Sequence, residues 1–168
     1  MKKIISYGLH IITSGVIIFL LLNCKGKTDT KMFTNDDKLT KLHSFAQRYT
    51  DAWCSQNPGL VVEFFSENGS FTVNDDPPAI GREAITKVAE GFMSAFPDMI
   101  VRMDSLVAKP NGTEYHWTLT GTNNGPGGTG NKVQISGFEL WQIDNDGLIK
   151  NSKGTFNAEE YNRQLHGN

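Results

Sequence analysis

Cysteine and histidine are both scarce in this chain: 168 residues carry two Cys and four His, with no cluster at metal-ligand spacing. No metal or cofactor is therefore called for. Positive charge is short as well. Sixteen Lys and Arg face 18 Asp and Glu, for a net charge of −2 at pH 7, and no basic run breaks the mixture. That balance excludes nucleic acid from the expected partners. Internal repeats are absent, and long apolar runs are absent outside the N-terminus.

The N-terminal exception reads MKKIISYGLHIITSGVIIFLLLNC. Two lysines precede an uncharged, largely apolar stretch from Ile4 to Leu22, the order of a secretory signal. As a helix this stretch would extend roughly 28 Å, enough to span a bilayer, so an uncleaved anchor is the competing reading. Cys24, directly after Leu-Leu-Asn, resembles the lipobox of bacterial lipoproteins, whose cysteine is acylated and becomes the first residue. Asn23 departs from the commoner small residue before that cysteine. Residues 1–23 are read as signal peptide or membrane anchor, Cys24 as the lipid-attachment site, and 24–33 as a polar tether. Residues 34–168 form one domain. Either reading places that domain in the bacterial cell envelope, tethered to a membrane and facing the periplasm or exterior. Cleavage before Cys24 would remove Lys2 and Lys3 and take the net charge from −2 to −4. Cys54 would then be the sole free thiol and no intramolecular disulfide could form. Beside Trp53 in a helical pattern, it reads as buried and inert.

Thr34 with Asp37 three residues on forms a helix start. Leu39, Leu42, Ala46, Tyr49 and Trp53 then make one apolar stripe over about twenty residues. Asn57-Pro58 ends that helix and caps a short second one running to Phe65. Glu67-Asn68-Gly69 reads as a turn and Ser70–Val73 as a short strand. After the NDDPPAIG break, Ile85, Val88, Ala89, Phe92 and Phe96 form a further helical stripe, ended by Pro97. The period then drops to two. Val101, Met103 and Val107 share one face of a strand, as do Tyr115, Trp117 and Leu119 of the next. Val133, Ile135, Glu139, Trp141 and Ile143 share a face of a third. Asn145-Asp146-Gly147 is a hairpin turn, followed by a weaker strand from Leu148 and a helical turn or two from Ala158 to Leu165.

The segment GTNNGPGGTGNK, residues 121–132, satisfies G-x-G-x-x-G at Gly125, Gly127 and Gly130, and Gly125 and Gly130 have Walker A spacing. Both phosphate loops need a strand before and a helix after, so that the helix N-terminus meets the phosphate. Period-two sequence flanks this segment on both sides, and Lys132 stands one position late. It is a hairpin connection between two long antiparallel strands, and a nucleotide is excluded.

Five stretches in this order carry a resemblance: Ala95-Phe96-Pro97-Asp98, Trp117–Thr122, Ser136-Gly137-Phe138-Glu139, Asp146–Ile149 and Phe156–Leu165. Over residues 38 to 166 the chain resembles SnoaL-like domains of the nuclear transport factor 2-like superfamily. The resemblance implies an α+β fold, a cone-shaped roll in which a curved antiparallel sheet wraps against N-terminal helices around an apolar cavity. It also implies a homodimer formed through the outer sheet face. The superfamily includes polyketide cyclases, isomerases, dehydratases and epoxide hydrolases, in which a pocket carboxylate serves as base, often with a histidine. At the matching positions this chain has Asn157 for the aspartate and Asn123 for the histidine. A neutral amide cannot take a proton near pH 7, so the inherited chemistry is expected to be absent.

Strand parity puts Trp117, Leu119, Gly121 and Asn123 on one face, which is expected to line the cavity. Tyr49 and Trp53 should arrive from the first helix. The candidate ligand-binding residues are thus Tyr49, Trp53, Trp117, Asn123, Glu139 and Asn157, with simple core packing as the alternative for the aromatics. Glu139 is the weak catalytic candidate: its parity with Ile135 and Trp141 points it at apolar surroundings, where a carboxyl titrates high, although a glutamate on a twisted strand defaults to solvent. His116 has outer-face parity. Asp75 and Asp76 are read as solvated turn residues. The expected function is a tethered module binding a small apolar molecule. The alternatives are a cyclase- or isomerase-like enzyme with a non-standard base, and a dimeric interaction module.

Overall fold

The computed structural model describes residues 35–167. The predicted signal or anchor, Cys24, the tether and the Thr34 cap lie outside the described residues. Helix α1 (Asn35–Cys54) carries the first apolar stripe. Its C-terminal half goes into the core through Ala46, Tyr49, Ala52 and Trp53, whereas Leu39 near its start is exposed. Asn57 caps the short α2 (Pro58–Val62): its side chain accepts from the Gly59 N–H, with Pro58 at the first helical position.

β1 (Phe65–Val73) begins earlier than the sequence pattern suggested. Glu67-Asn68-Gly69 is not a turn but an irregularity within this strand, and the pairing register shifts between Phe65 and Ser70. A Cβ on Gly69 would stand 2.9 Å from the Ile149 carbonyl oxygen, so a glycine is what lets the two backbones meet there. The two-residue β2 (Ala79–Ile80) pairs antiparallel with β1 and leads into α3 (Gly81–Ala95). β3 (Ile100–Lys109), β4 (Gly112–Thr122), β5 (Lys132–Ile143) and β6 (Ile149–Phe156) follow as an antiparallel meander. α4 (Ala158–His166) ends the chain.

The sheet order is β2-β1-β6-β5-β4-β3, with β1 and β6 parallel. β6, which looks weak in sequence, therefore occupies the middle of the sheet. The glycine-rich segment joins β4 to β5 directly, with Thr122 opposite Lys132. One strand face differs from its expected parity. The register shifts between Met103 and Ser105, making Asp104 a bulge residue. Leu106 rather than Val107 then takes the inner place opposite Tyr115, and Val107 is 39% exposed beside Glu114. The Asp104 carboxylate is held by the Thr118 hydroxyl at 2.6 Å and the Arg102 Nε at 3.0 Å.

The core is aromatic. Tyr49, Phe65, Phe96, Tyr115 and Trp141 are fully buried. Tyr115 stacks on Trp141 with ring centroids 4.6 Å apart, and the Tyr49 ring meets Trp141 edge-on at 5.1 Å. The Thr50 hydroxyl and the Tyr115 phenol hydrogen-bond at 2.7 Å, pinning α1 to β4. The middle of the cone is thus largely filled.

Candidate functional site

A cavity survives beside this aromatic wedge. Its walls are Trp53 from α1, Phe71 from β1, Phe92 from α3, Trp117 and Leu119 from β4, and Phe156 from β6. Gly154 and Glu139 complete the side formed by β5 and β6, with Tyr115 also in contact. The space open to the centre of a water-sized sphere is about 50 Å³, roughly a third of the ~150 Å³ of a cavity that takes up benzene. Local sequence explains the shape. At Gly137 a Cβ would stand 2.5 Å from the Thr155 carbonyl oxygen and 2.8 Å from the Trp117 ring, so glycine there lets the indole lie down on the sheet.

Glu139 is the one carboxylate in this wall. It is 4% exposed and sits on β5 between Tyr115 of β4 and Gly154 of β6. Its Oε2 accepts from the Ser152 hydroxyl at 2.7 Å, the Trp141 indole at 2.8 Å and the Tyr49 phenol at 3.0 Å. Oε1 receives only a longer contact of 3.3 Å from the same phenol, so it holds the spare capacity. Burial raises the Glu139 pKa from its ordinary range, and the hydrogen bonds from Trp141, Ser152 and Tyr49 oppose that rise without cancelling it. All three partners are neutral, so none of them supplies a counter-charge. The Ser152 and Trp141 donors serve a carboxylic acid's carbonyl oxygen as well as a carboxylate, and a phenol can turn to accept. Tyr49 is driven well above its ordinary value, by burial first and then by the Glu139 charge.

The other sequence-derived candidates separate into three groups. Trp53 and Trp117 reach the cavity wall with Glu139. Tyr49 lies behind Glu139 in the solid core, where it donates to the carboxyl rather than lining the space. Asn123 and Asn157 do not join them, which corrects the expectation that both line the cavity. Asn123 donates to the Ala95 carbonyl and accepts from the Thr129 N–H, clamping the glycine-rich loop to the end of α3. Asn157 is the N-cap of α4: its Oδ1 accepts from the Glu160 N–H at 2.9 Å. Glu139 itself corrects the solvent-facing default. His116 lies on the outer face, 3.0 Å from Glu114. Cys54 spends its sulfur on the Val101 backbone of β3.

Sequence reasoning missed Ser152 and Trp141 as partners of Glu139. The pairing of Trp141 with Ser152 across β5 and β6 places them together. Trp141 was findable from its parity with Glu139, whereas Ser152 sits in the polar run IKNSKGTF, which has no alternation to read. Among the described residues no group of three His, Cys, Asp or Glu could hold a metal ion.

Helices followed by a meander that closes on a bent mixed sheet define a nuclear transport factor 2-like cone. The chain belongs to the SnoaL-like polyketide cyclase family, whose model matches residues 43–165. Solved structures support the fold. A protein from Jannaschia sp. CCS1 described as a SnoaL-like polyketide cyclase superposes with a TM-score of 0.67 at 15% identity, covering 77% of this chain and 94% of that one. A phenazine biosynthesis-related protein from Pseudomonas aeruginosa gives 0.61 at 18% identity, over 77% and 90%. A protein with a ketosteroid isomerase-like fold from Catenulispora acidiphila, solved with trimethylamine, gives 0.63 at 13% identity, over 72% and 91%. No curated protein matches the chain.

Proposed function

We propose that this protein is a membrane-tethered module of the cell envelope that binds a small, mostly apolar molecule in its cone. The observation that carries the reading is a buried carboxyl, Glu139, set in the wall of an otherwise apolar cavity. Placing an acid there is costly, and the neutral donors that meet it offset the cost only in part. The small volume restricts the ligand: the part that enters is a few heavy atoms, with anything larger projecting through the mouth. The tether rests on the lipobox-like Cys24 and the apolar run before it. A homodimer is proposed through the outer sheet face, where the strand pairing puts Val107, Phe138 and Leu140 on one side.

A second reading is favoured by the same carboxyl. Burial raises the pKa of this acid, which suits it to donate a proton, a role that Asn157 cannot fill. In that reading the cone is an enzyme in which Glu139 acts from the middle of the sheet. Both readings are tested first by isolating the protein from its native membrane and analysing the denatured material by mass spectrometry. A stoichiometric small organic molecule is the expected result. Protein that carries nothing, and whose melting temperature is unmoved by a library of small apolar compounds, would end the ligand reading.

A further inference from the structure

Gly69, Gly112, Gly121, Gly137 and Gly154 all lie in strands. Close approach accounts for four of them. A Cβ would stand 2.9 Å from a backbone carbonyl oxygen at Gly69, 2.1 Å at Gly112 and 2.5 Å at Gly137, and at Gly121 it would stand 3.2 Å from the Phe96 side chain. Gly154 is different. There a Cβ would meet the Thr72 carbonyl oxygen at 3.4 Å, Phe71 Cε2 at 3.6 Å and Glu139 Cγ at 3.7 Å, all ordinary van der Waals contacts. Its φ lies outside the left-handed region. Neither packing nor backbone conformation calls for glycine at 154, and a strand is weaker with glycine than with alanine. Yet among the described residues this is the glycine that lines the cavity.

The space beside it is bounded almost entirely by carbon. The Trp53 and Trp117 indole N–H groups are buried and closed to it. The Tyr115 phenol is engaged with Thr50 at 2.7 Å, and the Glu139 carboxyl takes its hydrogen bonds from Tyr49, Trp141 and Ser152. A polar group entering here would give up its water and find no partner. Width restricts the occupant further. At about 50 Å³, roughly a third of the ~150 Å³ that takes up benzene, the space excludes a ring and admits a slender chain. We propose that Gly154 is the specificity-determining residue of the cone: it omits a side chain so that the methyl end of an unbranched alkyl chain lies against its Cα, with the chain's polar end left outside. This inference rests on the cone being a ligand site and adds the class of the group that enters.

The experiment uses the full chain, labelled with nitrogen-15 and held in CHAPS, a steroid-ring detergent with no free alkyl chain to compete. Three probes are titrated separately while the Gly154 amide signal is followed: 1-hexanol; hexane-1,6-diol, which has the same length and no methyl end; and cyclohexanol, which has a ring. 1-Hexanol should bind and move the Gly154 signal. The diol should bind at least about 5-fold more weakly, because one hydroxyl must enter unpartnered. Cyclohexanol should leave the signal in place. Gly154→Ala should fold with a melting temperature equal to or above that of the wild type, because the methyl group has room and alanine favours the strand. It should weaken 1-hexanol by about 4-fold for each methylene displaced. Equal binding of hexanol and diol, cyclohexanol binding as strong as hexanol, or hexanol binding that Gly154→Ala does not change overturns the inference and leaves the ligand reading standing. So does a Gly154→Ala protein that melts lower or fails to fold, since the glycine would then serve the fold. Binding of none of the three probes at its solubility limit brings down the ligand reading and the inference together.

Discussion

Replacing Glu139 by glutamine should remove a pH-dependent contribution to stability. Burial makes ionisation of Glu139 harder in the fold than in the unfolded chain, where the carboxyl titrates near its ordinary value of 4.5. Between that value and the raised folded one, the native state holds a proton that the unfolded state has released. Stability therefore falls as pH rises, by about 1.4 kcal/mol per pH unit, and levels off only above the folded pKa. The glutamine side chain does not titrate. Its oxygen can accept from Trp141 and Ser152, and its amide can donate to the Tyr49 oxygen, so at the acid end the two proteins should agree within about 1 kcal/mol. From about pH 4.5 upward the wild type should then lose stability steadily relative to Glu139→Gln until the raised folded pKa is passed. Asp98, Asp104, Asp144 and Glu160, whose pKa values are lowered in the fold, push the other way. Their contribution is present above their unfolded values and lost as pH falls through the folded ones. It is common to both proteins and drops out of the difference. Urea unfolding followed by tryptophan fluorescence across this range supplies the two curves. A flat difference would refute the reasoning, because it would mean that three hydrogen bonds outweigh burial and the carboxylate is ionised in the fold. If the protein is an enzyme, the same variant should lose turnover while the fold persists.

Two further outcomes separate structural from functional roles. Asn157→Ala should cost about 1 kcal/mol by removing the cap of α4, with ligand affinity unchanged, measured by denaturation and calorimetry; a loss of affinity without loss of stability would put Asn157 back in the site. Intact-mass analysis of membrane-extracted protein should show an acylated N-terminus at Cys24, and Cys24→Ser should retain residues 1–23 without acyl mass. Wild type that keeps residues 1–23 would favour the uncleaved anchor.

Much of the fold was legible because the chain changes hydrophobic period where the architecture changes layer. The stripe ending in Trp53 and the alternation through Trp117 and Leu119 gave the helix and sheet walls, and the Gly125–Gly130 segment gave the β4–β5 connection. What failed did so for local reasons. Gly69 marks a close approach of strands, which in sequence looks the same as a turn. The bulge at Asp104 inverts the parity of Val107, and nothing in an alternating string announces one extra residue. At Asn157 a signal was present but pointed elsewhere: Asn157-Ala158-Glu159-Glu160 has the spacing of a helix cap, and the backbone's claim on that amide is stronger than the cavity's.

That last point bears on why position 157 holds an amide while the buried acid stands at 139. At the start of α4 an amide and a carboxylate cap equally well, and Asn157 does so from an exposed position. Glu139 is on the opposite footing. In the middle of the sheet its charge has no solvent, and its neighbours have little purpose without it: Ser152 in an otherwise apolar layer, the Trp141 indole turned onto Oε2, and the Tyr49 phenol brought across from α1 all converge on this carboxyl. An apolar residue at 139 would leave three buried donors unmet, so the acid cannot be removed alone without destabilising the wall it sits in. Its Oε2 takes the three short hydrogen bonds and Oε1 a single longer one, so α1, β5 and β6 together fix this carboxyl in place.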